Sequence, residues 1–497
     1  MQLMKRFPVA TVARLVALTL SVAAWGLPIC ANAGASFVLP NQPLLASPFT
    51  DEQGFVGTRI EWSGAALQRR SIHLIDNTQV DPTGHWGGYA RTLTYPVDQR
   101  TRVCRGTVDD YPGFGMVVNH VDGGSYNSVR RQGLSAGLVF SGPHHALYEY
   151  RWRYPIDGVP VDITVHWLFA TGNASPIYAI TYDVSHGAPD ALKADTRAPY
   201  GDMAWDGGAR ATVDGVAWGD DKVFTTDGDG QPVSLASGFD YTEDNVVPFT
   251  QAYALSADAE MGLVQTQTHA QHAAGGYDGY KLWGRRAAGG PMPKPADWPY
   301  QLHQWQLPGD PSAKRHAWGS NFGAVGQMSY PTIGNKRQQN GYPYQSYSVY
   351  VVNDTHGREP VAHRRRAVEW LQQGVLLAER GCAVRFGGAG GVGRNDWTAY
   401  DVVGLNPVYN TWELDRSGQE PDMAFSLTGH AEAPIERPTF VIHGLSKLPA
   451  SFALEVDGVQ VRANMSYFLS EDPAHDQVWL TLNKTAYQRL RVVLRGL

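Results

Sequence analysis

The sequence is short of cysteine, of charge and of long apolar runs. Three cysteines occur in 497 residues, Cys30, Cys104 and Cys382, and none has a Cys-x-x-Cys or Cys/His spacing. That removes cysteine-based zinc sites and thioredoxin chemistry. Charged residues are 18% of the chain, too few for a coiled coil, while 43% apolar residues are too many for a disordered one. Beyond the N-terminus no apolar run approaches the ~20 residues of a spanning helix, which excludes a polytopic helical membrane protein. No internal repeat of fixed period is present, which argues against a propeller. A basic stripe is also missing. Arg364-Arg365-Arg366 falls in a helical pattern, and net charge is −6, so nucleic acid is not an expected partner.

The N-terminus accounts for one cysteine. Lys5, Arg6 and Arg14 precede the apolar stretch Leu15 to Ile29, and Ala31-Asn32-Ala33 follows. Basic start, short apolar middle and small-x-small site predict a secretory signal peptide over residues 1–33. Its removal takes away three cations and moves the charge to −9. A secreted or periplasmic protein with no further membrane insertion is the expectation. In an oxidising compartment Cys104 and Cys382 are left to pair, or to stand as two small buried side chains.

Turn formers and aromatics are what the sequence has in abundance: 54 Gly, 31 Pro, 15 Trp and 24 Tyr. In Tyr148-Glu149-Tyr150-Arg151-Trp152-Arg153-Tyr154, rings and charges alternate, which places four rings on one face of a strand. Val161 to Ala170, Pro176 to Val184 and Gln345 to Val352 read as further strands, with few crossover helices between them, so the sheets should be antiparallel. One helix interrupts. Pro360 suits a first helical position, Val368, Leu371, Val375 and Ala378 keep helical spacing, and Gly381 suits the stop. Beyond it, Asp457-Gly458 between alternating apolar runs signals a hairpin. The expected fold is all-β dominated: a large antiparallel β-supersandwich (34–355), a linking helix with a Gly-rich loop (356–394) and a small C-terminal β-sandwich (395–497).

Candidate chemistry lies in glycine-containing segments rich in His, Tyr, Trp and Arg. His85-Trp86-Gly87-Gly88-Tyr89, His144-His145, and His269 and His272 followed by Tyr277, Tyr280, Lys281, Trp283 and Arg285 are the main clusters, with Trp318 and Asn321 further on. Flat aromatic faces with polar edges suit sugar rings, and Asp, Asn, Arg and His suit their hydroxyls. A polysaccharide or oligosaccharide is therefore the expected substrate. β-Elimination beside a uronate carboxylate needs a base, a proton donor and a neutralising group. His85, His145, His269, His272, Tyr277 and Tyr280 are the acid/base candidates. Arg151, Arg153, Lys281, Arg285 and Asn321 are candidates for holding the carboxylate, and Trp86, Trp283 and Trp318 for stacking. Hydrolysis would need two carboxylates. Glu243 leads there, with Asp244, Asp202, Asp206, Asp220, Asp221 and Glu413 behind it, and no spacing selects a pair. A non-catalytic carbohydrate-binding or envelope-assembly protein is the alternative from another class.

Other motifs are weaker. Gly133-Leu134-Ser135-Ala136-Gly137 fits a nucleophile elbow in letters, but a strand-like run follows it instead of a helix. Gly388-x-Gly390-x-x-Gly393 lacks the strand and helix of a dinucleotide loop. No metal is expected. Asp227-Gly228-Asp229-Gly230 lacks the later ligands of a calcium loop, so no cofactor is expected beyond, at most, a structural calcium ion. In layout and composition, a long β region, a linking helix and a terminal β-sandwich, the chain resembles polysaccharide-active enzymes with a galactose-mutarotase-like supersandwich. That resemblance implies a sugar substrate. It leaves lyase, hydrolase and sugar-binding roles open.

Overall fold

In the computed structural model, alternation decides the layers. The residues described are 42–64, 68–97, 100–105, 113–121, 124–156, 159–183, 185–186, 194–205, 215–219, 247, 249–255, 258–266, 316–325, 344–385, 391–394, 402–418 and 420–497. Within them β-strands dominate, and the one α-helix is Pro360–Leu371. The fold is all-β dominated, built from sandwich-like layers of mainly antiparallel sheets.

The first sheet has nine strands, running from Leu45–Thr50 through Arg69–Ile75 and Tyr89–Val97 to Gly124–Asn127. The second has eight, with His145–Ile156, Val159–Ala170, Ile177–Asp183 and Tyr344–Asp354 among them. Tyr148, Tyr150 and Trp152 are buried between the two sheets, as their period predicts, while Arg151 and Arg153 are exposed. The rings pack in a row, 5.1 Å from Tyr148 to Tyr150 and 5.9 Å on to Trp152. Trp62 closes the opposite side, 5.0 Å from Phe169, and donates its indole N–H to the Asn173 carbonyl at 2.9 Å. The turn at His85 is tight as well. Asp81 accepts from the backbone N–H groups of Thr83 and His85, and from the Tyr89 hydroxyl at 2.5 Å. Ser135 of the Gly-x-Ser-x-Gly run starts the strand Ser135–Ser141, with no helix after it.

The C-terminal part has a five-stranded and a six-stranded sheet around a core that includes Trp412, Leu414, Phe425, Phe440, Leu480 and Leu494. Asp457 and Gly458 both have positive φ, 53° and 80°, so the Asp-Gly signal does form the hairpin between Ala453–Val456 and Val459–Gln460. The helix is shorter than its apolar spacing predicts. It ends at Leu371, and Val375 and Ala378 lie in the strand Val375–Arg380. Gly374 passes so close to Ile435 and Trp412 that a Cβ would come within 2.7 Å of both. Cys382 is a free, half-buried thiol that donates to the Ala424 carbonyl at 3.3 Å. A third apolar cluster joins the parts. Phe140, Leu168 and Val352 of the second sheet meet Val361 and Val368 of the helix and Val441 and Trp479 of the tail. The second sheet is therefore covered on both faces.

Candidate functional site

The outer face of the second sheet carries a polar chain of contacts. The register opposes His166 to Glu149, and period two turns both away from the aromatic core. His166 Nε2 lies 2.9 Å from Glu149 Oε2, and its Nδ1 lies 2.5 Å from the Tyr409 hydroxyl. A carboxylate can only accept, so Nε2 carries the imidazole proton and donates to Glu149. Nδ1 is then the acceptor, and the Tyr409 O–H donates to it. The result is a phenol–imidazole–carboxylate relay. Burial pushes the Tyr409 phenol well above the ordinary tyrosine range, so it is protonated at neutral pH.

Tyr409 comes from the tail, and its loop is fixed by Asn406, whose Oδ1 accepts from the Val408 N–H at 3.0 Å. The turn Gly391–Arg394 lies against it. Gly393 has a φ of 73°, and a Cβ there would collide with the Tyr409 hydroxyl. Its N–H donates to Thr181 Oγ1 at 3.0 Å, and Ser346 Oγ donates to the Arg394 carbonyl at 3.1 Å. These bonds seat the end of the Gly-rich run on the second sheet. The Arg394 side chain ion-pairs with Glu413, a buried carboxylate that also accepts from Asn406 Nδ2 at 2.8 Å and faces His443 Nε2 at 3.3 Å. Burial raises the Glu413 pKa, but the His443 contact and the Arg394 charge outweigh it and bring it to about 2. Glu413 is thus a fixed anion, unable to act as a proton donor near neutrality. It holds Arg394, whose side chain is 30% exposed.

A cavity of about 80 Å³ sits beside the Tyr409 ring, under Arg364, Arg437 and Trp479. It has room for more than one water.

The residues selected from the sequence are spread over the molecule. Glu243, His269, His272, Tyr277, Tyr280, Lys281, Trp283 and Arg285 lie outside the described residues, as does Asp227–Gly230. His85 bonds Thr83 Oγ1 through Nδ1 at 2.7 Å, and Trp86 is half-buried in the same turn of the first sheet. Trp318 and Asn321 lie in the strand His316–Val325, opposite Gly201 and Arg197. The strand His145–Ile156 brings His145, Arg151 and Arg153 onto the face that carries Glu149. Arg153 makes a fork with Asp162, both bonds 2.6 Å. Arg151 is exposed, 3.9 Å from Glu149. His145 is fully buried under the tail, with Nδ1 3.0 Å from Ser470 Oγ and Nε2 2.8 Å from Thr481 Oγ1, and burial lowers its pKa to about 3. Sequence reading did not select His166, Tyr409 or Arg394. His166 left one usable signal, as the imidazole in the apolar strand Val161 to Ala170. Tyr409 in Pro407-Val408-Tyr409-Asn410 left none.

No protein-family model matches the chain, and no curated protein matches it. Among solved structures, one similar chain is an alpha-mannosidase from Enterococcus faecalis V583, at 7% identity and a TM-score of 0.28, covering 91% of this chain and 49% of that one. Another is a Paenibacillus xanthan lyase, at 8% identity and a TM-score of 0.28, covering 92% of this chain and 38% of that one. This chain thus spans half or less of either neighbour, and neither likeness gives it a family.

Proposed function

We propose that the protein is an exported enzyme that cleaves a uronate-containing polysaccharide by β-elimination, with Tyr409 as its acid/base group. The observation that carries this reading is the relay, a protonated phenol whose hydroxyl is bonded to an imidazole oriented by a carboxylate. His166 Nδ1 takes the phenol proton as the Tyr409 oxygen removes the proton beside the uronate carboxylate. Glu149 stabilises the imidazolium that forms. The C–O bond to the leaving sugar then breaks as the C=C bond forms, the proton on Tyr409 passes to the leaving oxygen, and His166 returns its proton to the Tyr409 oxygen. Arg394, held by Glu413, offers its remaining N–H groups to the uronate carboxylate, whose negative charge grows during proton removal.

Incubation with a polysaccharide panel, reading ultraviolet absorbance beside reducing ends, tests the reaction class. Elimination yields both signals together, because each cleavage leaves one double bond. Reducing ends without new absorbance mean hydrolysis and overturn the proposal. So does binding of a uronate polymer with neither signal.

A further inference from the structure

Where the helix meets the tail, the cavity of about 80 Å³ collects positive charge. Arg364 lines it from the helix Pro360–Leu371, and Arg437 from just beyond the short strand Ile435–Glu436. The cavity is several times the ~10–15 Å³ that one water needs, so a small polyatomic ion fits.

Both guanidiniums are held in place, and neither is neutralised. Arg364 lies over the Tyr350 ring, 4.4 Å from its centroid, and donates from one Nη to Asn173 Oδ1 at 2.8 Å. Arg437 donates its Nε–H to Asn483 Oδ1 at 3.2 Å. Among the described residues neither has a carboxylate within ion-pairing distance, and the Nη groups of Arg437 have no hydrogen-bond partner. Glu436 is the one carboxylate among the described lining residues, and His363 Nε2 takes it up at 3.0 Å. Burial lowers the Arg437 pKa, and the Arg364 charge lowers it too, against the pull of Glu436. Two like charges gathered in a partly buried place are costly unless an anion answers them.

The backbone points the same way. Arg437 has a φ of 43°, left-handed for a residue with a side chain. It also precedes Pro438, and the ring of a proline crowds a helical conformation in the residue before it. Strain of this kind persists only where the surroundings impose it, and it gathers at ligand clamps. Here it carries the Arg437 side chain to the cavity.

We propose that this cavity binds a small oxyanion, a phosphate, a sulfate or a free carboxylate, clasped between Arg364 of the helix and Arg437 of the tail. Planar guanidinium forks match the paired oxygens of such groups, which a chloride ion cannot offer. The bound ion ties helix to tail and stabilises the fold by mass action. The argument does not use the Tyr409 hydroxyl and its readout is binding, so this proposal and the elimination reading can fail separately. The test is a calorimetric titration of the full chain, dialysed into anion-poor buffer, with sodium phosphate, sulfate and acetate, and with sodium chloride at matched ionic strength. At least one oxyanion should bind saturably and raise the thermal midpoint, while chloride does neither. Arg437→Gln should weaken that binding about ten- to a hundredfold, the effect of losing a charged hydrogen bond. Arg364→Gln should weaken it from the helix side, and decides the matter should the first variant not fold. The proposal is overturned if no oxyanion binds more tightly than chloride. It is equally overturned if either variant, folded by circular dichroism, binds the oxyanion as tightly as the parent.

Discussion

Gly393 decides where Tyr409 can stand. Its φ of 73° and the phenol oxygen over its Cα exclude any side chain. Gly393→Ala should therefore displace the phenol from His166 and cost about 1–3 kcal/mol, read as a lower denaturant midpoint. A variant as stable as the parent would mean that the turn has another conformation available. His145 makes a separate prediction at the same scale. Its pKa is about 3 in the fold and ordinarily near 6.5, so between those values the unfolded chain holds more protons. Stability is therefore full above about pH 6.5 and falls on acidification, by up to about 1.4 kcal/mol per pH unit. Urea midpoints measured between roughly pH 7 and pH 5 should slope less in His145→Gln than in the parent. An unchanged slope would place the acid sensitivity elsewhere.

At the scale of elements, the sequence is most legible where one physical rule acts alone. Period two in Tyr148 to Trp152 and the positive φ that Asp457-Gly458 allows both reappear as a buried ring row and a hairpin. The helix shows where a local rule loses. Val375 and Ala378 keep helical spacing, yet the close approach of Gly374 to Trp412 and Ile435 leaves no room for a further turn with side chains. Gly374→Ala should overpack that contact and cost about 1–3 kcal/mol, seen as a lower thermal midpoint. The relay was hidden for a related reason. Its members come from sequence positions 149, 166 and 409, and only the docking of the tail on the second sheet brings them together. Neither the Tyr409 loop nor the Arg394 turn has a local pattern that reports its partner.

For the whole molecule, the second sheet is the shared layer. Its inner face packs on the first sheet, and its outer face packs on the helix and tail through Phe140, Leu168, Val368, Val441 and Trp479. Trp479 stacks on Phe140 at 5.9 Å and is 4% exposed, so Trp479→Ala should cost about 3–5 kcal/mol. Because the tail also supplies Tyr409, loosening this junction should lower activity along with stability. Calorimetry should show one transition for the parent and an earlier, separate tail transition for Trp479→Ala. A variant that still melts in a single transition at the parent's temperature would show that the junction does not hold the tail.

The central claim is that Tyr409 moves the proton, and Tyr409→Phe tests it most directly. The ring and its packing stay, and only the hydroxyl is lost. On a polymer that the parent cleaves, kcat for formation of the unsaturated product should fall by about 10²–10⁴-fold, while the denaturant midpoint shifts by no more than the loss of one hydrogen bond. Cleavage within about twofold of the parent, by a variant equally well folded, would contradict the account and leave the relay as a structural tie between sheet and tail.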